Sequence, residues 1–200
     1  MTRAARAALA AVAALAAACA AQRIPSLERQ PKPPPDVGAW ASARERFTRS
    51  DKLYDELATR AFASAVYQAP EVREARVGRL AEWLALAPAE RDRLLAQEAD
   101  EASLYEDFVV TLFTPDRADN DLDATRSIWT ISLVVPSEGE AAPVRVEALP
   151  PDATLTTLYP RVGHFDVAYR VRFARWPTIL AGKPFTLRMA SARGRIEFQY

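Results

Sequence analysis

The sequence predicts an α+β fold in which N-terminal helices pack on a C-terminal antiparallel β-sandwich. Three observations carry this expectation. Apolar residues recur at helical spacing from Trp40 to about Tyr105. From about Asp107 the apolar period falls to two, the spacing of strands with one buried face. The helices come first and the strands after them, without β-α alternation, which argues against a doubly wound parallel sheet. Four segments follow: residues 1–18, residues 19–39, a helical region 40–105 and a strand region 106–200.

Trp40, Phe47, Tyr54 and Ala61 fall seven residues apart, with Leu53, Leu57, Phe62, Ala65 and Val66 beside them. That spacing draws one apolar stripe and predicts helix as far as Pro70, with a second helix start at Ser50-Asp51. A helix over Glu71 to Leu86 places Val72, Val77, Leu80, Trp83 and Leu84 on one side. Pro88 and Glu90 are start signals for a helix running to about Tyr105. The Trp and Tyr residues read as core. Glu98, Asp100, Glu101, Glu106 and Asp107 read as a solvated helix face.

The clearest strand is His164 to Phe173, where Phe165, Val167, Tyr169, Val171 and Phe173 alternate with Asp166, Ala168, Arg170 and Arg172. Trp129 to Val135, Phe185 to Met189 and Ile196 to Tyr200 alternate in the same way. Val144 and Val146 mark a shorter strand, and Phe108 to Phe113 a more buried one. Ser191 to Gly194 is a hairpin loop between the last two strands. Six such strands suit an immunoglobulin-like sandwich or a small open barrel.

The chain has 200 residues, with 26 Lys and Arg against 26 Asp and Glu. Without residues 1–18, which hold Arg3 and Arg6, 24 basic residues face 26 acidic ones. No long run of one sign is present, which speaks against nucleic acid as a partner. Nearly all the basic residues are Arg, and Ala is abundant, the bias of a GC-rich genome.

The first residues carry their own pattern. Arg3 and Arg6 precede 15 uncharged residues, Ala7 to Ala21. That run falls short of the roughly 20 apolar residues a membrane-spanning helix needs and matches the core of an export signal. Inside it Leu15-Ala16-Ala17-Ala18 leads to Cys19, the single cysteine of the chain. This stretch resembles a lipobox, the processing motif of bacterial lipoproteins, although the family more often has Leu where Ala16 stands. The resemblance implies a diacylglyceryl group on Cys19, cleavage before it, and, with Ala20 next, passage to the outer membrane. Ala18-Cys19-Ala20 also fits an ordinary cleavage site that would release a soluble protein. Pro25, Pro31, Pro33, Pro34 and Pro35 then mark a spacer over Ile24 to Gly38. In polyproline II form, at ~3.1 Å per residue, about fifteen residues would span roughly 45 Å.

Candidate chemistry is sparse. His164 is the one histidine, so triad chemistry would have to use it. Neither a G-x-S-x-G elbow nor a glycine-rich phosphate loop occurs among the six glycines. The sequence predicts no cofactor. Asp119, Asp121 and Asp123 have the one-three-five spacing that opens a calcium loop. Ala124 stands where that loop needs Gly and Thr130 where it needs Glu, so the favoured reading is a polar turn. A glycosidase would need two carboxylates about 5–9 Å apart in a cleft, a pair the sequence does not nominate. The expectation is therefore a lipid-anchored envelope protein with a non-catalytic binding or scaffolding role toward another envelope protein. A small-molecule or lipid binder is the alternative, and a carboxylate-dependent hydrolase ranks third.

Overall fold

The chain enters through a short helix, α1 (Ala39–Arg46), and turns into a hairpin of β1 (Thr48–Asp55) and β2 (Ala58–Tyr67). Two longer helices follow, α2 (Pro70–Leu84) and α3 (Pro88–Leu104), each with proline in its first turn, where a missing amide costs nothing. β3 (Tyr105–Phe113) starts on the residue after α3 ends. The remainder is β4 (Thr130–Val135), β5 (Gly139–Ala141), β6 (Arg145–Ala148), α4 (Ala153–Leu158), β7 (Val167–Ala174), β8 (Thr186–Ser191) and β9 (Gly194–Gln199). The computed structural model describes residues 32–200 other than Leu57, Ser137, 176–179 and Ala181. Cys19 and the spacer up to residue 31 lie outside the described residues. The elements named above all belong to one unit, Pro33–Tyr200, in which no described helix is long and apolar enough to cross a membrane.

Among the described residues the fold is α+β with four helices and two antiparallel sheets, ordered β1-β2-β3-β7-β6 and β5-β4-β8-β9. Neither sheet closes into a barrel. The strands read from Phe108 onward are present, and β5 and α4 join them. The helix expected from Trp40 to Pro70 is corrected. It stops at Arg46, and residues 48–67 are a hairpin, so the helices do not form one N-terminal block. The reason is tertiary. Ala61, Ala63 and Ala65 are buried on one face of β2, where alanine, the best helix former, serves as a small inward strand residue. The turn offered no warning either. Glu56 takes the left-handed conformation, φ 52°, that Gly or Asn usually marks.

Cross-strand register sorts the faces. Tyr67 pairs with Phe108, and Phe108 with Val171, so these three point the same way. They meet Phe185 and Tyr200, which exchange backbone hydrogen bonds of 3.3 and 2.9 Å. The ring of Phe108, fully buried, lies 5.2 Å from Tyr67, 5.9 Å from Phe173, 5.8 Å from Tyr200 and 6.1 Å from Phe185, so both sheets share one core. Tyr200 also donates its hydroxyl to the Ala65 carbonyl at 2.8 Å.

β1 side chains cap the outer edge of β9. Asp51 Oδ2 accepts the Glu197 amide at 3.1 Å, and Arg49 Nε donates to the Gln199 carbonyl at 2.8 Å. These bonds occupy polar groups that a bare edge would leave open to another strand. The close approach explains Gly194, at φ 138°, where a Cβ would come within 2.6 Å of Leu53 Cδ1.

Two outcomes are expected. Phe108→Ala lowers stability by about 3–5 kcal/mol, read as a lower denaturant midpoint at unchanged slope. Gly194→Ala destabilises by about 1–3 kcal/mol from backbone strain alone, with a steric part on top. Combined with Leu53→Ala, it costs less than the sum of the two single changes, a coupling that a double-mutant cycle measures.

Candidate functional site

The strongest concentration of chemistry lies where α2 and α3 meet the outer face of the five-stranded sheet. Because β3 leaves α3 without a loop, Glu101, Glu106 and Asp107 arrive close together, and strand alternation sends Glu106 and Asp107 to opposite faces. Asp107 pairs in register with Arg172 of β7. Arg172 grips it with two bonds of 2.8 Å, from Nε to Oδ1 and from Nη2 to Oδ2. Arg73 of α2 donates to Asp107 Oδ2 at 2.9 Å, and both of these side chains are 3% exposed.

The network continues outward. Arg73 Nε donates to the Gln68 carbonyl at 2.9 Å and its Nη1 to Glu98 at 3.1 Å. Arg76 donates to Glu98 at 2.5 Å, and Arg172 to Glu101 at 2.6 Å. Arg172 also lies 4.4 Å above the Tyr105 ring, a cation–π contact. Glu98, Glu101, Glu106 and Asp107 are therefore not a solvated face, which corrects the sequence reading. Burial would raise the carboxyl pKa of Asp107, but hydrogen bonds and charge from Arg172 and Arg73 outweigh burial and hold it below the usual carboxylate range. A polar cavity of about 140 Å³ lies beside the network. With each guanidinium already facing a carboxylate, the cluster cross-links helices to sheet. No residue of α3 is fully buried, though Leu94 and Leu95 are half-buried, and these bonds, with Arg175 donating to the Ala102 carbonyl, help attach it.

On the inner face, Tyr67 donates to Glu106 at 2.7 Å, and Arg175 stands 3.6 Å from the same carboxylate. Burial first, and then the Glu106 charge, push the Tyr67 hydroxyl well above its ordinary pKa. A cavity of about 480 Å³ lies alongside, walled by Phe47, Tyr67, Leu180, Phe185 and Tyr200 with Arg49 and Lys183 at its edge.

A second pair of buried arginines holds the incoming chain. Arg79 of α2 donates to the Pro34 and Pro35 carbonyls at 2.5 and 2.8 Å. Arg44 of α1 makes a two-bond grip on Asp36, at 2.8 and 2.7 Å, and reaches the Leu158 carbonyl at 3.2 Å. The hydrogen bond and charge of Arg44 hold the Asp36 carboxyl below its ordinary range. Trp40 donates to the same Leu158 carbonyl at 3.0 Å. Between this entry and α3 lies the largest of these hollows, about 670 Å³, floored by α2.

The acidic loop is spent on its own architecture. Asp119 pairs with Arg193 at 2.9 Å. Asp121 accepts from the Ser127 hydroxyl at 2.9 Å and the Ile128 amide at 3.2 Å, while Asp123 is exposed. Asn120 donates to the Leu112 carbonyl at 2.7 Å and accepts from Tyr169 at 2.9 Å, strapping the loop to the sheet. Among the described residues, no group of three or more His, Cys, Asp or Glu side chains is placed to hold a metal. His164 is exposed in the loop before β7. Arg73, Arg76 and Arg172 went unread in sequence. The available signal was that Arg73/Arg76 and Glu98/Glu101 both repeat three residues apart on neighbouring helices.

No protein-family model matches this chain, and neither a curated protein nor a solved structure matches it significantly.

Asp107→Asn leaves two guanidiniums without their shared charge and is expected to cost about 3–5 kcal/mol, read by chemical denaturation. The pH response follows from the lowered pKa. The stability Asp107 contributes is present in full above its unfolded pKa of about 3.9. It is lost as pH falls through the lower folded value. Thermal melts of the wild type should therefore steepen below about pH 4, and those of Asp107→Asn should fall less over the same window.

Proposed function

We propose that this chain is a lipid-anchored protein of the bacterial cell envelope, held at the outer membrane through Cys19 on a proline-rich spacer. Its role in this reading is to bind or position another envelope protein without catalysis. The observation that carries it is the clamp at the end of the spacer. Arg79 and Arg44, both buried, fasten Pro34, Pro35 and Asp36 to the body. A body joined to its tether at several points keeps its orientation when pulled, which suits a positioning role and serves a free enzyme little. The fold supports the same reading. Two antiparallel sheets on one core, with helices against an outer face, would make a stiff platform.

A second reading, a binder of small apolar molecules or lipids, is favoured by the aromatic cavity at Phe47, Tyr67, Phe185 and Tyr200.

The deciding experiment compares wild type with Cys19→Ser in cells. Expected are a lipid-modified N-terminal Cys19 by mass spectrometry, release of the variant from membranes, and one dominant crosslinked protein partner. A mature N-terminus at Ala21 without lipid would sink the anchor. A lipidated protein that retains a lipid extract but crosslinks to no protein would favour the second reading.

A further inference from the structure

The groove beside the clamp has a shape and a charge that specify an occupant. Its floor is one face of α2, formed by Glu71, Glu74, Ala75, Gly78 and Glu82. Val37 to Ala43 wall one side, and Arg91 and Leu95 of α3 the other. Glu71 and Glu82 are eleven residues apart, about 16 Å along a helix at ~1.5 Å per residue. The groove is therefore a trough of about three turns lying between two helices.

Its centre is low. Gly78 is exposed in the middle of α2, and a Cβ built there meets nothing within 4 Å. Glycine in a helix interior costs about 1 kcal/mol relative to alanine, yet no neighbour in this fold requires it. The gap beside Ala75 and Gly78 suits the ridge of another helix, which packs with its axis about 8–10 Å away.

Its rim is acidic. Glu71, Glu74 and Glu82 stand along it, and Glu71 alone of the three has an ion pair among the described residues, with Arg46. Arg91, the cation on the opposite wall, lies 3.5 Å from its neighbour Asp92, and the buried Arg79 gives both Nη groups to the proline carbonyls, while its Nε has no partner among the described residues. Acidic rim charges steer and select cationic partners and repel anionic ones. They disfavour an anionic lipid or a fatty acid in this trough.

We propose that the trough between α1 and α3 receives an amphipathic helix of a partner protein, with its apolar ridge over Ala75 and Gly78 and lysines or arginines against Glu74 and Glu82. This rests on the protein-binding reading above and gives that reading its site.

The test uses purified full-length protein and two synthetic helical peptides, one of Leu and Lys and a counterpart of Leu and Glu. Calorimetric titration is expected to show saturable one-to-one binding of the Leu/Lys peptide and none of the Leu/Glu peptide. Gly78→Leu, which fills the trough without changing charge and whose Cβ meets nothing within 4 Å, should abolish binding at an unchanged or higher melting temperature. Glu74→Lys with Glu82→Lys, both on the exposed face, should weaken it by about tenfold or more. Absence of saturable binding, equal binding of both peptides, or full binding by Gly78→Leu would overturn the proposal. So would a dimer that forms in place of peptide binding and is lost in Gly78→Leu, since it would assign the trough to a second copy. A lipidated Cys19 in a protein that binds no peptide sinks this inference and leaves the envelope reading standing. Peptide binding by a chain released without lipid does the reverse.

Discussion

Asp107, on β3 at the centre of the five-stranded sheet, places one negative charge between the guanidiniums of Arg73 and Arg172. Burying a carboxylate is costly unless it is paired and hydrogen-bonded. Here the pairing reaches α2 through Arg73 and β7 through Arg172, and Glu101 of α3 shares the latter. Two elements distant in sequence, α2 and β7, are thus held to one charge, and α3 joins them through Arg172. The arrangement also fixes register. Asp107 and Arg172 face each other across the ladder, and a one-residue slip would turn Asp107 into the aromatic core and bring Phe108 out to the helices. The hydrophobic pattern and the ion pair demand the same alignment, and such agreement between levels separates a unique fold from its near neighbours.

The second half of the chain was legible because it obeys a simple rule. In β7 to β9, long apolar residues alternate with polar ones, and alternation selects the large buried side chains Tyr169, Val171, Phe173, Leu187, Met189, Ile196 and Phe198, although Phe165, placed with the inward set, is exposed and Ala168 of the opposite set is buried. The first hairpin broke the rule in composition. Its inward residues are Ala61, Ala63 and Ala65, whose small size suits close-lying neighbours and whose propensity is helical. Its turn uses Glu56 at positive φ, without a glycine to announce it. The charge cluster was hidden for a different reason. A buried carboxylate and a solvated one look alike in sequence, and the distinction rests on pairings such as Glu98 with Arg76, 22 residues away. Local spacing does not encode them.

The arginines illustrate how composition and selection combine. Nearly all the basic residues of the chain are arginines, and some, such as Arg91 and Arg161, sit on the surface with exposed partners worth little. Arg44, Arg73 and Arg79 are different: each is buried, and each uses its planar fork on carbonyls or carboxylates from another part of the chain. Two of them lie on α2, one facing the sheet and one facing the entering segment. That helix is therefore the piece through which the entering segment, Pro34 and Pro35, and the sheet are joined.

The trough inherits walls of unequal stiffness from this arrangement. Its floor, α2, buries Val72, Arg73, Val77, Arg79 and Trp83, and the α1 wall is fixed by Trp40 and Arg44. The α3 wall has no fully buried residue and is held in part by the charge pairs of Glu98 and Glu101. Elements with few buried contacts are the first to open locally, while those carrying the core stay closed until global unfolding. A helix entering the trough would meet two rigid sides and one that adjusts at small cost. The acidic residues that select it, Glu71, Glu74 and Glu82, stand on the rigid floor, so the charge pattern keeps its geometry while the opposite wall moves to fit.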